Sequence, residues 1–368
     1  MNTADYDIAV IGGGPAGATA ARLLDSRFRV LLVDGKTAAE DSFEKVCGGL
    51  LSPDAQKAFA EFDLTLPKDI LVDPQIFSVR TISLGDELKN TSERHYQRFY
   101  MNLDRKKFDL WLESLVPERV DRYCGKCAGI ERSEGVYKIV CRGKGGGEST
   151  FTAERIVGAD GANSMVRRFL YPDRKIRTYV AVQQWFELGK GGDNADISKP
   201  FYSCIFDPKT GDCCSWSVSK DKYFIFGGAF AAKHCRQNFE RQKNRLEGIG
   251  FRFGEPLKTE ACMVLRPKSP FEICTGRDNA FLIGEAAGFI SPSSLEGISF
   301  AVNSGRLLAD ILNRGGKKPE LEYAVKTVPT RLKILAKLIK CPFMYNPTLR
   351  KIVMKSGFGS IKIHKNNG

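Results

Sequence analysis

The stretch DYDIAVIGGGPAGATAARLLDSRFRVLLVDGK leaves a chain few ways to fold. DIAVI is a short apolar run suited to a buried parallel strand. Gly12-x-Gly14-x-x-Gly17 follows at once, and PAGATAARLL has the small and apolar spacing of a helix packed on a sheet. FRVLLVD reads as a second buried strand ending in Asp34. Gly12 permits a sharp turn, Gly14 lets a pyrophosphate approach the backbone, and Gly17 lets helix and strand pack closely. The helix start, with Pro15 at its first position and Ala16 next, offers the free N–H groups after the proline and a positive dipole end to phosphates. Asp34 can accept from a ribose hydroxyl, and Gly35 and Lys36 complete the cradle. Together these features predict a Rossmann-like dinucleotide-binding region.

Whether the nucleotide is FAD or nicotinamide is decided elsewhere. ERIVGADGANSMVRRFL (154–170) reads as a strand ending in Asp160-Gly161, then a helix start with Arg167 and Arg168. DNAFLIGEAAGFISPSSLEGISFAVNSGRLLADIL (278–312) reads as a strand, Gly284-Glu285, a glycine-rich stretch through Gly288, and a long helix. An acid at that strand end can bind polyol hydroxyls. The turn at Gly297-Ile298 can present N–H groups to a ring carbonyl that becomes negative on reduction.

KVCGGLLSPDA, NLDRKKFDLWL, GADGANSMVRR and GEAAGFISPSSLEGISFAVNSG stand in an order that resembles the geranylgeranyl reductase family of flavoproteins, built on the p-hydroxybenzoate hydroxylase fold. Within it, VGADGANSMVRR, FYSCIFD and NAFLIGEAAGFIS resemble an enterobacterial branch of FAD oxidoreductases associated with colicin M resistance. The resemblance implies an FAD-binding domain of the p-hydroxybenzoate hydroxylase/glutathione reductase type with an antiparallel β-sheet substrate domain. It implies that Gly12, Gly14, Gly17 and Asp34 hold the ADP half of FAD. Arg105 would reach the flavin nucleotide, Asp160 and Gly161 the pyrophosphate, and Glu285, where most relatives carry Asp, the ribityl chain. Gly297 and Ile298 would lie near the flavin pyrimidine edge, with Leu295 replacing a glycine common in relatives. Cys47, Gly48 and Gly49 would border the flavin ring and the substrate tunnel, bare backbone giving a flat ring room. A thiol is mostly protonated at neutral pH and can donate, so Cys47 is either a proton donor or a packing residue.

Strand-like alternation recurs at 74–84, 95–103, TYVAVQQWFEL, KPFYSCIFD, CCSWSVSK and KYFIFGGAF, rich in aromatics: Tyr96, Phe99, Tyr100, Trp185, Phe186, Phe201, Tyr202, Trp216, Tyr223, Phe224 and Phe226. An antiparallel sheet with an aromatic inner face suits a long apolar substrate. Gln183, Trp185 and Trp216 are the candidate cavity residues. Flavin halogenases of this fold carry Trp-x-Trp-x-Ile-Pro. Here Cys214 and Ser219 replace the first Trp and the Pro, which argues against halogenation. No second GxGxxG marks a nicotinamide domain, so NAD(P)H would visit transiently or another donor would supply electrons.

The domain order expected is FAD-binding at 1–70, 103–177 and 269–315, substrate strands at 71–102 and 178–268, and a basic helical segment at 316–368. The net charge is +13, and from Tyr323 onward there are ten Lys or Arg and no acid. TRLKILAKLIK (330–340) reads as a helix with Leu332, Leu335, Ala336 and Ile339 on one face and Lys333, Lys337 and Lys340 on another. Such a segment suits an anionic membrane surface, or is a solvated face. No nucleic-acid module accompanies it, so nucleic acid is not expected. No apolar run reaches the length of a membrane span, and no signal peptide is read before the first strand. The eleven cysteines read as reduced cytosolic thiols, and CGKC, Cys124 to Cys127, as an incidental loop rather than a zinc or redox pair. No metal is expected. The location expected is cytoplasmic, peripheral at the inner membrane face. The function expected is reduction of carbon–carbon double bonds in a polyprenyl lipid or prenylated quinone. The alternatives are FAD-dependent hydroxylation of a small aromatic and flavin-loaded lipid binding with little turnover.

Overall fold

The computed structural model of the chain describes residues 4–35, 45–188 and 202–363. They form two compact units. The first comprises Met1–Glu44, Lys106–Arg177 and Leu265–Lys337; the second comprises Lys45–Arg105, Thr178–Val264 and Leu338–Gly368. Residues 45–70, which sequence order groups with the dinucleotide region, belong to the second unit: Leu50–Leu51 pairs antiparallel with Ser92–Asn102. Residues 316–337 belong to the first.

The first unit is built on a 7-stranded sheet. Tyr6–Ile11 lies between Val30–Asp34 and Glu148–Gly158, parallel to both. Val30 to Val33 are each 1% exposed, as a strand covered on both faces requires. Asp121–Ser133, Val136–Gly143 and Glu148–Gly158 form an antiparallel run, and Ala280–Leu282 adds a further parallel strand. Helix Pro15–Leu23 packs on helix Ile298–Arg314, where a Cβ on Gly305 would stand 2.5 Å from Ala16 O. Only glycine allows that approach.

CGKC is not a loop. Cys124 and Cys127 lie on Asp121–Ser133, with a bulge between Cys127 and Gly129. Cys127 turns in towards Met165 Sδ at 3.7 Å, and burial pushes its thiol up to about 12. No group of residues able to hold a metal ion occurs among the described residues.

The second unit holds an 8-stranded sheet. It is antiparallel except at one place: Tyr202–Phe206 runs parallel to Ile76–Ser83. Its two faces differ. Phe186, Phe224, Phe226, Ile205 and Ile82 form a core with Phe239 and Leu246 of helix Cys235–Glu247 and with Phe251. The opposite face carries Ile76, Val218 and Ile225, with Leu50, Tyr100, Trp185 and Tyr202 packed against them. The aromatics therefore do not share one inner face. Alternation along each strand sends Phe186, Phe224 and Phe226 to the helix side and Trp185 to the other. Phe99 is half exposed, and Phe201 lies outside the described residues.

The basic segment forms helices Val328–Tyr345 and Pro347–Ser356. Helix Val328–Tyr345 buries Ile334 and helix Pro347–Ser356 buries Arg350 and Met354, whereas Leu332, Leu335, Ile339 and Phe343 are exposed. No helix among the described residues is long and apolar enough to cross a membrane.

Candidate functional site

In the first unit the glycine signature is held open by the chain's own backbone. Gly12 has φ +104°, and a Cβ there would stand 2.6 Å from Ala159 O. A Cβ on Gly17 would fall well inside van der Waals distance of Gly12 O. Gly14 caps helix Pro15–Leu23 without a side-chain hydrogen bond. Its first-turn amides are the donors a helix start leaves to a ligand. Gly13, a variable position in the signature, is also constrained: a Cβ would meet Asp34 Oδ2 at 2.5 Å. The sequence gives no sign of this, because it depends on where Asp34 turns. Gly35 follows Asp34 beside Lys126, and Lys36 lies outside the described residues.

Asp160 stands after the strand Glu148–Gly158. Its Oδ2 accepts from Met165 N–H at 2.7 Å and Val166 N–H at 3.4 Å, at the start of helix Met165–Leu170. Burial raises this carboxyl above the usual range, against the hydrogen bonds of Ser164 and those amides. Gly161 has φ +73° with open space around it. Arg167 does not face outward: it is 7% exposed, donates to Ala286 O at 2.7 Å and also to Ala162 O. Arg167 is a staple between the second and third motifs.

The third motif meets the first. Gly284 (φ +56°) would place a Cβ 2.8 Å from Ala16 Cβ, and its N–H donates to Ser304 Oγ at 2.9 Å. Glu285 Oε1 accepts from Leu265 N–H at 2.9 Å. Gly288 (φ +89°) closes against Ile176. Gly297 caps helix Ile298–Arg314, and Glu296 accepts from both Ser299 N–H and Ser299 Oγ at 2.8 Å.

These residues fit a dinucleotide. Asp34 Oδ2 and Asp160 Oδ1 are buried and have no hydrogen-bond partner, which is costly unless a ligand supplies a donor. Three constrained glycines leave the backbone bare beside them.

In the second unit, Cys47-Gly48-Gly49 leads into Leu50, which packs on the apolar sheet face. Gly49 N–H points to Cys47 Sγ at 3.4 Å. Gly49 has φ +60°, and a Cβ would meet Lys220 Nζ at 2.6 Å and Leu103 O closer still. Gly49 is thus bare because the protein itself fills the space. A Cβ on Gly48 would stand 3.4 Å from the Trp216 indole. Gln183, Trp185 and Trp216 meet in one network. Trp216 Nε1 donates to Gln183 Oε1 at 3.1 Å, Trp185 Nε1 donates to Glu260 Oε2 at 2.8 Å, and Gln183 Nε2 reaches the same oxygen at 3.4 Å. Glu260 also pairs with Lys258 at 2.6 Å. Glu260 carries no motif in the sequence. Arg105 is half-buried at the start of helix Arg105–Ser114.

No protein-family model matches the chain. Protein CbrA of Shigella dysenteriae serotype 1 is 46% identical over 358 residues, covering 97% of this chain and 98% of that protein. Among solved structures, a geranylgeranyl bacteriochlorophyll reductase-like protein from Thermoplasma acidophilum matches with a TM-score of 0.76 at 19% identity, over 95% of this chain and 90% of that one. PqsL, a probable FAD-dependent monooxygenase from Pseudomonas aeruginosa, matches with a TM-score of 0.66 at 17% identity, over 95% of this chain and 99% of that one. The chain belongs to the CbrA family, on the p-hydroxybenzoate hydroxylase-type fold that FAD-dependent oxidoreductases share.

Proposed function

We propose that the protein is an FAD-dependent oxidoreductase that saturates carbon–carbon double bonds of a polyprenyl lipid or prenylated quinone. Reduced FAD, when bound, supplies a hydride. Gly12, Gly14, Ala16 and Gly17 bind the diphosphate through backbone amides, and Pro15, which has no N–H, starts the helix that aims them. Asp34 accepts from the adenosine ribose, and Asp160 and Gly161 flank the pyrophosphate. Gly284, Glu285 and Gly288 hold the ribityl chain, and Gly297 and Ile298 the pyrimidine edge. Arg105, at the start of helix Arg105–Ser114, contacts the flavin nucleotide. Cys47 carries the proton at Sγ that completes saturation, and NAD(P)H or another donor supplies the electrons.

The observation that carries this reading is the surroundings of Cys47. A half-buried thiol stands next to Gly48, which faces the Trp216 indole, and three residues before Leu50, which packs on the apolar sheet face of Ile76, Val218, Ile225, Tyr100, Trp185 and Tyr202. One protonatable group beside an apolar sheet face fits the chemistry of saturating an apolar chain. A hydroxylase reading rests on the likeness in fold to PqsL.

The proposed partner surface is an anionic membrane. Leu332, Leu335, Ile339 and Phe343 are exposed on the helix that carries Lys333, Lys337 and Lys340. Each cation contributes about 1 kcal/mol near acidic lipid. Co-sedimentation with phosphatidylglycerol vesicles but not phosphatidylcholine vesicles supports this; equal or no sedimentation rejects it.

The test of function is mass spectrometry of prenyl lipids incubated with the reduced protein. A gain of two mass units per saturated bond is expected, and unchanged lipid rejects the reading. Oxygen-dependent NAD(P)H consumption with a hydroxylated product selects the hydroxylase instead. Tight lipid binding without a mass shift selects a binding protein.

A further inference from the structure

Lys220 ends the strand Ser215–Lys220, where a lysine reads as a surface cation, yet it is 4% exposed. Its Nζ donates to Asn102 Oδ1 at 2.6 Å, Leu103 O at 2.7 Å and Gly49 O at 3.2 Å. Three donors meet three acceptors, all uncharged. Asn102 is fixed in turn by donating to Pro74 O at 3.0 Å and Ser219 O at 2.9 Å. The ammonium occupies the place a side chain at residue 49 would need. The same residue points its N–H at Cys47 Sγ. Gly49 therefore joins the ammonium and the thiol.

Burying an ammonium against neutral oxygens is costly. Burial pushes Lys220 down to about 8, opposed by the Cys47 thiol, Asp104 and Asp221, the groups that face it. A fold that keeps such a charge at one point keeps it for a local purpose.

We infer that Lys220 is the positioning residue of the Cys47–Gly49 segment, holding Gly49 in place and stabilising negative charge at Cys47 Sγ. With every N–H taken, it acts by position and field and does not itself donate a proton to a ligand. When Cys47 gives its proton to carbon, the S–H bond breaks, a C–H bond forms, and a thiolate remains beside the cation until water returns the proton. The catalytic meaning rests on the proposed role of Cys47; the charge at the thiol does not, and is measured without substrate.

The experiment alkylates the protein as purified with iodoacetate and, separately, iodoacetamide, and reads the Cys47 peptide by mass spectrometry. Thiolate fraction and access affect both reagents alike, so the rate ratio reports the local field. Lys220→Met lowers the iodoacetate-to-iodoacetamide ratio on the order of five-fold, the effect of one nearby unit charge. In the wild type the ratio falls as pH rises from about 7 to about 9.5 and the ammonium is lost. This series decides the matter if the variant does not fold. A ratio equal in both proteins, a flat wild-type profile, or a Cys47 inert to both reagents overturns the inference. A failed lipid-reduction assay leaves it standing.

Discussion

Gly17 lies so close to the carbonyl oxygen of Gly12 that no Cβ fits between them. The obstacle is backbone on both sides, so no rotamer change relieves it. Gly17→Ala must push helix Pro15–Leu23 off the strand Tyr6–Ile11 and with it the amides proposed to bind the diphosphate. The expected result is protein purified without yellow colour and destabilised by roughly 1–3 kcal/mol, the usual cost of overpacking. Absorbance near the flavin bands and a thermal melt check both.

Leu295 has φ +56°, in a loop closed by Leu295 N–H to Ser291 O and Ser291 N–H to Glu296 O, both 2.9 Å. A branched residue is strained there, and glycine is not. With leucine at this position the chain keeps the left-handed conformation and bears the strain. Leu295→Gly is expected to be more stable than Leu295→Ala by about 1 kcal/mol, since both lose the half-buried side chain and only alanine keeps the strain. Chemical denaturation of the two variants gives the difference.

The strand, glycines, helix and Asp34 were legible because each is local: the spacing dictates the geometry whatever the rest of the chain does. Gly13, Lys220 and Glu260 were not legible. Each is fixed by a residue distant in sequence: Asp34 for Gly13, Asn102 and Gly49 for Lys220, Trp185 and Gln183 for Glu260. Alternation identified strands but not their neighbours, so the parallel pairing of Tyr202–Phe206 with Ile76–Ser83 was hidden. The same limit misread Cys124 and Cys127, whose strand is set by pairing with Val136–Gly143. In the basic helix the 3-4-3 pattern gave the helix but not its buried contact, which is Ile334 alone among residues 328–345.

Glu260 holds two indole and amide donors in one place. Glu260→Ala leaves Trp185 Nε1 and Gln183 Nε2 without that acceptor. The expected cost is about 1–3 kcal/mol, because buried donors lose their partner. Glu260→Gln keeps an oxygen for Trp185 and is expected to cost less. Intrinsic tryptophan fluorescence during unfolding reports both stability and the changed surroundings of Trp185.

Cys47 separates catalysis from packing. Cys47→Ala is expected to retain FAD and lower turnover by about 100-fold or more, the usual contribution of a positioned acid. Cys47→Ser retains a weaker acid of similar size and falls between. Full turnover in both variants, with flavin bound, assigns the thiol to packing.

Lys220 sets a pH dependence whose sign is opposite to that of an ordinary ion-paired lysine. Its folded value of about 8 lies below the ordinary lysine value of 10.5. Between these, the unfolded chain binds the extra proton, so stability rises with pH. The penalty of the buried charge is fully present below about 8 and fades towards pH 10.5. Lys220→Met removes that titration. The wild type is therefore expected to gain stability relative to Lys220→Met as pH rises through this window, by up to about 3 kcal/mol. Paired denaturant titrations at pH 7, 8, 9 and 10 measure the difference. A gap that is constant with pH, or that moves the other way, shows that the ammonium is not held as described.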